Sequence, residues 1–407
     1  MTPHTATAYS VQTNYFGVLL IAIFIINPFI SIILGIILLT SHKRYANADL
    51  NIWCILVAAW LSLINLTKVP ESDQVMYIGW YKNCVNTNLI DGIFYYSGTL
   101  KEPAYGIFQY ACNILFDGNV KLFTFTVSFV NYILLFFSVK IILLKARQGI
   151  RAVIFGIICI SFFNQFFYIS IHLIRQVMAF SIALYAIALH VKDGKNHWII
   201  LACAPLVHST AALFSLLAII PFIYHRMNLR QYVLLSIPLL ISTVGSIAFG
   251  AMMLLVVGED SMAGYAFSRM SSAADDGLES NPVVVAIMLI PLLTISIINL
   301  LRLRRNRSYN SALYPILYLF LFLAILILSM SARPLVQYRF VFVTYQMMPF
   351  LLPLLLSPKN RLRNLYFVGT GAMFILRFFL TLNNSSFSYN ITTGDLIYLP
   401  APLYFSI

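Results

Sequence analysis

The sequence predicts an all-α polytopic membrane protein, and three observations support this fold class. Of its 407 residues, 60% are hydrophobic and only 10% are charged, whereas soluble domains carry about 25% charged residues. The mean hydropathy is +0.86. The apolar residues also gather into runs of about twenty, which is the length an α-helix needs to cross roughly 30 Å of hydrocarbon. These features exclude a soluble globular protein.

Apolar segments bounded by charged or turn residues predict the individual membrane-spanning helices. Together with the apolar stretch at 198–223, they predict about 11–12 transmembrane helices in a single integral-membrane domain over residues 1–407. The first segment is too long for a cleaved signal peptide, so we expect it to remain as the first helix. The predicted spans cover residues 15–39, 50–66, 120–144, 152–168, 173–190, 231–257, 282–301, 312–331, 336–356 and 364–382.

The apolar stretch at 198–223 allows two interpretations. Lys192 and Lys195 precede it, and a second basic cluster follows it. If both flanks are cytoplasmic, the stretch must enter and leave the membrane on the same side. Two half-helices with Pro205 near the break and His208 at the bend satisfy this requirement, provided that the irregular backbone is buried in protein or lines a wet cavity. The alternative is one long tilted helix.

The distribution of charge predicts the orientation, with the N- and C-termini both outside. On this assignment the inner loops carry 17 Lys and Arg but only two acids, whereas the outer segments carry nine Lys and Arg and 11 acids. Cytoplasmic loops of membrane proteins have such an excess of basic residues. The net charge of +13 therefore indicates membrane orientation and not nucleic-acid binding. The long outer segments are the loops 67–119 and 258–281 and the tail 383–407.

The sequence has no nucleotide-binding motif, and its cysteines do not form a metal site. The five cysteines are scattered without metal-ligand spacing, and there is no glycine-rich phosphate-binding loop. A membrane enzyme that works outside without ATP must use a substrate that already carries its activation. Lipid-linked pyrophosphate sugars meet this requirement.

Four arginines lie on the side that the positive-inside rule should deplete. Arg175 lies at the start of a predicted helix, Arg333 and Arg339 flank a short outer turn, and Arg377 lies near the outer end of the last helix. Such side chains can reach the interface or pair with outer carboxylates. The alternative is an anion site, because a guanidinium group binds phosphate oxygens with two parallel hydrogen bonds. We favour an anion site for Arg175 and Arg339.

Three residues are candidates for acid–base chemistry. Asp73 and Glu102 each suit the start of a helix, where a carboxylate is favourable. A role in stabilising the helix start is therefore one interpretation of both residues. His208 is the one histidine well inside an apolar stretch, where a structural role is common. Each of the three is also able to activate a hydroxyl group if it faces a substrate.

Aromatic residues accompany these carboxylates along the outer loop. Tyr77 and Tyr81 follow Asp73 at helical spacing, and Tyr105 follows Glu102. Aromatic rings stack on sugar faces while carboxylates accept hydrogen bonds from sugar hydroxyls. Tyrosines are also common at membrane interfaces, so both interpretations stay open.

The order of these motifs resembles the EpsG family of Wzy-like polysaccharide polymerases. The resemblance covers about residues 70–215, with a looser similarity in Arg333–Arg339. Its motifs are Asp73-x3-Tyr77-x3-Tyr81, Glu102-Pro103, Arg175-Gln176 at a helix start, and His208-Ser209 after a lysine-rich inner turn.

The resemblance implies a GT-C-like helical architecture in the bacterial inner membrane, with the active site facing outside. Such an enzyme joins oligosaccharide repeat units carried on undecaprenyl pyrophosphate into O-antigen, capsule or exopolysaccharide. The growing chain is transferred from its lipid pyrophosphate to a hydroxyl of the next unit. The implied partners are this lipid-linked oligosaccharide, membrane lipid and a chain-length regulator, and no nucleic acid, cofactor or metal is expected.

The resemblance also implies a role for each candidate residue. Arg175 and Arg339 would bind the pyrophosphate, with Arg333 as support. One of three residues would activate the acceptor hydroxyl, and the sequence does not rank these three. The candidates for activation are His208, Asp73 and Glu102, and those for sugar binding are Tyr77, Tyr81, Tyr105 and Gln176.

Two other functions remain open on the sequence. One is a metal-dependent GT-C glycosyltransferase that uses a lipid monophosphate sugar, with Glu71 and Asp73 as a metal-binding pair. The other is a flippase or exporter of the same lipid-linked units. A transporter should present charged residues to a central cavity from both sides, whereas the inner side has only Asp49 and Asp193 as acids.

Overall fold

The computed structural model describes most of the chain, and all of its regular elements there are helices. Within the described ranges, α-helices and short 3-10 helices alternate, apart from one isolated β-bridge between Lys68 and Tyr389. The all-α fold class is therefore confirmed. The predicted outer loop 258–281 lies outside the described residues, except for its last residue. The described ranges are 16–41, 47–84, 88–94, 102–237, 240, 281–306, 311–331, 333–355, 362–382 and 388–407.

The chain divides into two compact units, Met1–Ile219 with Leu356–Ile407, and Ile220–Leu355. The single domain over residues 1–407 stays a prediction. The first unit begins with α1 (Phe16–Ile26), α2 (Pro28–Ser41), α3 (Asn47–Leu66), α4 (Asp73–Asn83), α5 (Leu89–Phe94), α6 (Pro103–Phe116), α7 (Val120–Lys145), α8 (Ile150–Ser161), α9 (Asn164–His172), α10 (Ile174–Asp193), α11 (Trp198–Val207) and α12 (Ala212–Ile219).

The remaining helices complete both units. The second unit holds α13 (229–237), α14 (Pro282–Arg305), α15 (Tyr314–Ser329) and α16 (Pro334–Leu351), and the first unit ends with α17 (Leu362–Leu382) and α18 (Thr393–Tyr398).

Four of these helices are long and apolar enough to cross a membrane, and their bounds follow the predicted spans closely. They are α3, α7, α10 and α14, and a fifth span results if α8 and α9, which are bent by 64°, count as one. Further helices occupy the predicted spans at 312–331, 336–356 and 364–382. The protein is thus a multi-pass membrane protein. The number of 11–12 spans and the GT-C-like architecture stay predictions.

Helices α3, α7 and α10 form the core of the first unit, with α7 packed against both of the others. Large aromatic side chains such as Trp53, Tyr132 and Phe180 are completely buried there. Buried polar groups in this core also join neighbouring helices, since a buried donor needs an acceptor: Asn65 Nδ2 donates to Ser128 Oγ at 3.2 Å. Because the three helices pack closely together, the chain segments at their ends are held in place as well.

The first predicted span, 15–39, is broken in the structure. Helix α1 ends at Ile26 and α2 begins at Pro28, with Asn27 between them. Proline has no backbone N–H and disfavours the helical conformation of the residue before it. The Asn27 side chain then accepts a hydrogen bond from the Ile30 amide at 2.9 Å, which satisfies one of the donors that a helix start leaves unpaired.

The apolar stretch at 198–223 folds back on itself. Helix α11 ends before His208, whose backbone is extended (φ −155°, ψ 124°), and α12 follows a short 3-10 turn. Ser215 Oγ donates to the Leu201 carbonyl at 3.1 Å, although these residues would lie about 21 Å apart in a continuous helix. The two-half-helix interpretation therefore holds, with Pro205 inside α11 and His208 at the reversal.

The C-terminal tail packs against the end of the first unit where α3 ends and α7 begins. Tyr389 bridges to Lys68 through backbone hydrogen bonds, and Lys121 Nζ donates to the Phe405 carbonyl at 2.8 Å. Thr392 caps α18 through a reciprocal pair of hydrogen bonds with Asp395. The tail and the loop 67–119 thus lie at the same end of this unit, as their common assignment to the outside requires.

Candidate active site

Four separate chain segments meet at one end of the first unit and bring charged residues together. They are helix α4, the start of α6, the start of α10 and the turn that follows α11. The central residue is Glu102, which precedes Pro103 at the start of α6 but makes no capping hydrogen bond with its side chain. A helix start alone therefore does not account for this carboxylate, whose partners lie elsewhere in the chain.

Glu102 forms an ion pair with Arg175 in the first turn of α10. The Glu102 side chain is only 4% exposed, whereas that of Arg175 is 19% exposed. The helix break at Leu173 places Arg175 here, since α9 ends at His172 and α10 begins at Ile174. A buried charge is tolerated when it is paired, so the carboxylate keeps the partly exposed guanidinium in place.

The other carboxylate oxygen of Glu102 faces the turn after α11. Glu102 Oε1 lies 3.3 Å from His208 Nδ1 and accepts a hydrogen bond from the Ser209 amide at 3.2 Å. The Thr210 amide in turn donates to His208 Nδ1 at 3.3 Å. The imidazole is 15% exposed, so it too is partly accessible, and these contacts fix its position.

Aromatic rings surround the Arg175 guanidinium. Its central carbon lies 5.1 Å from the ring centre of Tyr77, 5.6 Å from that of Trp80 and 6.0 Å from that of Tyr105. Arg175 Nε also donates to the Tyr77 hydroxyl at 3.3 Å. Burial raises the pKa of Tyr77, so this phenol stays protonated. Stacking on aromatic faces is favourable for a guanidinium and limits the directions in which it can turn.

Asp73 lies at the edge of this cluster, in the first turn of α4 and one turn before Tyr77. It is partly exposed, and its charge acts on Tyr77 and on His172. The preceding Ser72 has a positive φ of 48° and no side-chain cap. Asp73 is therefore close enough to contribute to the electrostatics of the site, with a different set of neighbours from Glu102.

A second ion pair joins Glu71 to Lys68, a residue that was not predicted as part of the site. Lys68 Nζ lies 3.0 Å from Glu71 Oε1 and 5.2 Å from the ring centre of Tyr168, whose ring lies against His172. Hydrogen bonds from Ser388 and then from Lys68 hold the pKa of Glu71 below its ordinary value. Sequence reasoning missed Lys68 because two of its partners, Tyr168 and Tyr389, lie in distant segments of the chain.

Two of the residues predicted to bind sugar, Tyr81 and Gln176, are buried. Tyr81 is completely buried, stacks on Phe123 with ring centres 4.1 Å apart, and donates to the carbonyls of Cys112 and Asn119 at 3.4 and 3.3 Å. Gln176 is also buried, beside Arg175 but within the helix core. Their assignment to sugar binding stays a prediction.

Arg333 and Arg339 belong to the second unit. Arg333 immediately precedes α16 and is 9% exposed, whereas Arg339 lies within that helix and is partly exposed. The turn between α15 and α16 is held by Gln337, whose side chain donates to the Ile327 carbonyl at 2.9 Å. Their assignment to the same pyrophosphate as Arg175 stays a prediction.

The metal-binding pair Glu71 and Asp73 was the sequence basis of one alternative function. Glu71 pairs with Lys68. Across the described parts of the chain, no three His, Cys, Asp or Glu side chains group closely enough to hold a metal ion.

Arg175, Glu102 and His208 form one cluster, and this cluster can serve two chemical roles. The guanidinium can stabilise an anionic group, because its planar N–H donors match phosphate oxygens. The imidazole can accept a proton, and the nearby carboxylate stabilises the imidazolium that forms. Glu102 contacts both groups and thereby fixes their positions relative to each other.

Comparison with known proteins gives one match over most of the chain. Residues 50–392 match the EpsG family, a range that includes every residue of the candidate site. No curated protein and no solved structure matches the chain. The resemblance drawn from the order of the sequence motifs is thus confirmed.

Proposed function

Because this chain belongs to the EpsG family, a family of Wzy-like polysaccharide polymerases, we propose that it polymerises lipid-linked oligosaccharide repeat units. The substrate is a repeat unit on undecaprenyl pyrophosphate, and the product is O-antigen, capsule or exopolysaccharide. The reaction takes place on the outer face of the bacterial inner membrane. The observation that carries this proposal is the contact of Glu102 with both Arg175 and His208.

Polymerisation breaks the bond between the anomeric carbon of the growing glycan and its pyrophosphate oxygen. A new bond forms between that carbon and a hydroxyl oxygen of the incoming unit. The hydroxyl proton leaves to a base, and the lipid pyrophosphate departs with the bonding electrons. The enzyme must therefore stabilise negative charge on the leaving group and accept a proton close by.

Arg175 suits the leaving-group side of this reaction. Its side chain is partly exposed, and its orientation is fixed by Glu102 and by the rings of Tyr77 and Trp80. A preorganised donor needs little rearrangement as charge develops on the pyrophosphate. The assignment of Arg333 and Arg339 to the pyrophosphate stays a prediction from the sequence.

His208 suits the acceptor side better than the two carboxylates do. Glu102 is 4% exposed and is already engaged by Arg175 and by the Ser209 amide, so we assign it as a positioning residue. Asp73 lies at the edge of the cluster and is the alternative base. Proximity of a positioned acceptor hydroxyl supplies part of the rate enhancement, so the base need not be strong.

The direct test is chain growth by the purified protein in proteoliposomes that contain a purified lipid-linked repeat unit. We expect a ladder of longer glycans on lipid together with release of undecaprenyl pyrophosphate, without addition of a nucleotide. Strict dependence on a divalent cation, with sensitivity to EDTA, would instead support the metal-dependent glycosyltransferase. Movement of the repeat unit across the bilayer without chain growth would support the flippase.

A further inference from the structure

A second concave site lies in the first unit at the other end of the same core helices. A cavity of about 600 Å³ is bounded by the C-terminal ends of α7 and α10 and by the N-terminal end of α3. Helix α10 begins next to the Glu102 cluster and has 20 residues, a length of about 30 Å. The two sites are thus separated by about the thickness of the hydrocarbon core.

Three ammonium groups line this cavity, those of Lys140, Lys145 and Lys192. The residues that the structure gives as its lining include no acid. Asp193 directs its carboxylate to His197, with an oxygen 3.0 Å from Nε2, and Asp49 is buried. The cavity therefore carries a concentrated positive charge.

Neutral oxygen atoms position two of these ammonium groups without cancelling their charge. Lys140 Nζ donates to the Asn51 side chain and lies 3.4 Å from the Asn47 carbonyl. Lys145 Nζ donates to the Lys192 carbonyl at 3.2 Å. An ammonium has three N–H donors, so it can bind an anion while one or two of them hold it in place.

One wall of the cavity is apolar. Phe137, Ile141 and Leu144 lie on the same face of α7 as Lys140 and Lys145, as their spacing of three and four residues requires. A surface that joins an apolar wall to lysines at the end of membrane-spanning helices suits a molecule with acyl chains and an anionic head group. A free phosphate ion would use only the lysines.

We propose that this cavity binds a phosphate-bearing anion, and that its source is the head group of an anionic phospholipid. The lysines lie at the helix ends that the charge distribution assigns to the cytoplasmic side, where anionic head groups attract basic residues. This site is separate from the Glu102 cluster, and its existence does not depend on the proposed polymerase activity.

Lipid titration of the delipidated full-length protein in detergent tests the proposal. Dioleoyl phosphatidylglycerol is the anionic probe, dioleoyl phosphatidylcholine is the zwitterionic control, and bound lipid is counted by native mass spectrometry. The test variant combines Lys145→Gln with Lys192→Gln, both at exposed side chains. The matched control combines Arg147→Gln with Lys195→Gln, which removes two exposed charges from the same end without touching the cavity lining.

We expect the wild-type protein and the control variant to bind phosphatidylglycerol in preference to phosphatidylcholine. The test variant should bind phosphatidylglycerol about tenfold more weakly or worse, because each lysine near an anionic head group contributes to binding. If the double variant does not fold, Lys192→Gln alone provides the same comparison with Lys195→Gln alone.

Competition with inorganic phosphate distinguishes the two sources of the anion. Phosphatidylglycerol binding that persists in millimolar phosphate supports the phospholipid, whereas displacement of the lipid by phosphate supports the same anion site with a soluble ligand. Equal binding of phosphatidylglycerol to the test and control variants, or equal binding of both lipids to the wild-type protein, would overturn the proposal.

Discussion

Glu102 Oε1 lies 3.3 Å from His208 Nδ1, and this contact connects the start of one helix to the reversal between two half-helices. The same carboxylate pairs with Arg175. Glu102 therefore holds both the proton-accepting imidazole and the anion-binding guanidinium in place. When the imidazole gains a proton, the carboxylate stabilises the resulting charge. The relationship assigns Glu102 a positioning role, while His208 and Arg175 are the more exposed members of the cluster.

Replacing Arg175 with alanine should reduce chain growth by about 10²-fold or more, because a preorganised donor to the leaving group is lost. Arg175→Lys should restore little activity, since an ammonium does not reproduce the planar donors of a guanidinium. Polymer length and lipid-linked single units are measured in membranes with matched protein levels. Arg377→Ala, at an exposed arginine of α17, is the control and should remain active. Substantial activity of Arg175→Lys would show that the site requires only a positive charge at this position and not the planar donors of a guanidinium.

His208→Gln should lower the rate and change its dependence on pH. In the wild-type protein, activity should fall in acid as the imidazole takes up a proton and stops acting as a base. Glutamine keeps a polar group but does not titrate in this range, so the acidic limb should flatten. The readout is the pH profile of chain growth in proteoliposomes. An unchanged rate and acidic limb in His208→Gln, together with an inactive Asp73→Asn, would transfer the role of base to Asp73.

Glu102→Gln should affect stability as well as activity, because the substitution leaves the Arg175 charge without its carboxylate. Breaking a buried ion pair lowers the free energy of unfolding by about 3–5 kcal/mol. Because Arg175 is partly exposed, we expect the free energy of unfolding to fall by about 3 kcal/mol or less. Thermal unfolding in detergent measures this loss. Glu102→Asp retains the charge with a shorter reach and should recover stability better than rate. Loss of rate without any loss of stability in Glu102→Gln would indicate direct participation of Glu102 in proton transfer.

Glu71→Gln should lower the melting temperature at pH 7, and the difference from wild type should shrink in acid. Hydrogen bonds from Ser388 and Lys68 lower the pKa of Glu71 in the folded protein. The ionised carboxylate therefore contributes stability above the pKa of the unfolded chain, and this contribution is lost as the pH falls through the folded pKa. The Lys68 side chain is completely buried and that of Glu71 is 33% exposed, so the substitution leaves a buried ammonium without its carboxylate, and the loss should exceed that of a surface ion pair. Asp117→Asn, at an exposed carboxylate, serves as the control. If the difference in melting temperature between wild type and Glu71→Gln grew in acid, the stabilising role of the ionised Glu71 would be contradicted.

The predicted orientation has its own test with two conservative substitutions. Ser406→Cys in the tail should react with an impermeant thiol reagent in intact spheroplasts, whereas Ser41→Cys at the end of α2 should be shielded. Both serines are exposed, so a difference in labelling reports the side of the membrane and not burial. Four of the native cysteines are buried, and a Cys203→Ser background removes the fifth. The reverse labelling pattern would place the Glu102 cluster on the cytoplasmic side.

The sequence by itself determined the membrane class and the positions of the long helices. Apolar runs of sufficient length predicted α3, α7, α10 and α14 closely, because one segment's length and hydrophobicity suffice to decide whether it can cross the bilayer. The order of motifs from Asp73 to His208 also sufficed to identify the family, since such an order is read along the chain without knowledge of any contact.

Only the tertiary structure decided which residues act together. The hydrogen bond from Ser215 to the Leu201 carbonyl resolved the choice between one helix and two, which hydropathy alone leaves open because both forms are equally apolar. The contacts of Glu102 with Arg175 and His208, and of Lys68 with the tail, join segments far apart in sequence. The burial of Tyr81 likewise depends on packing against Phe123. Helical periodicity fixes which side chains share a face of one helix, whereas the packing of several helices fixes which faces meet.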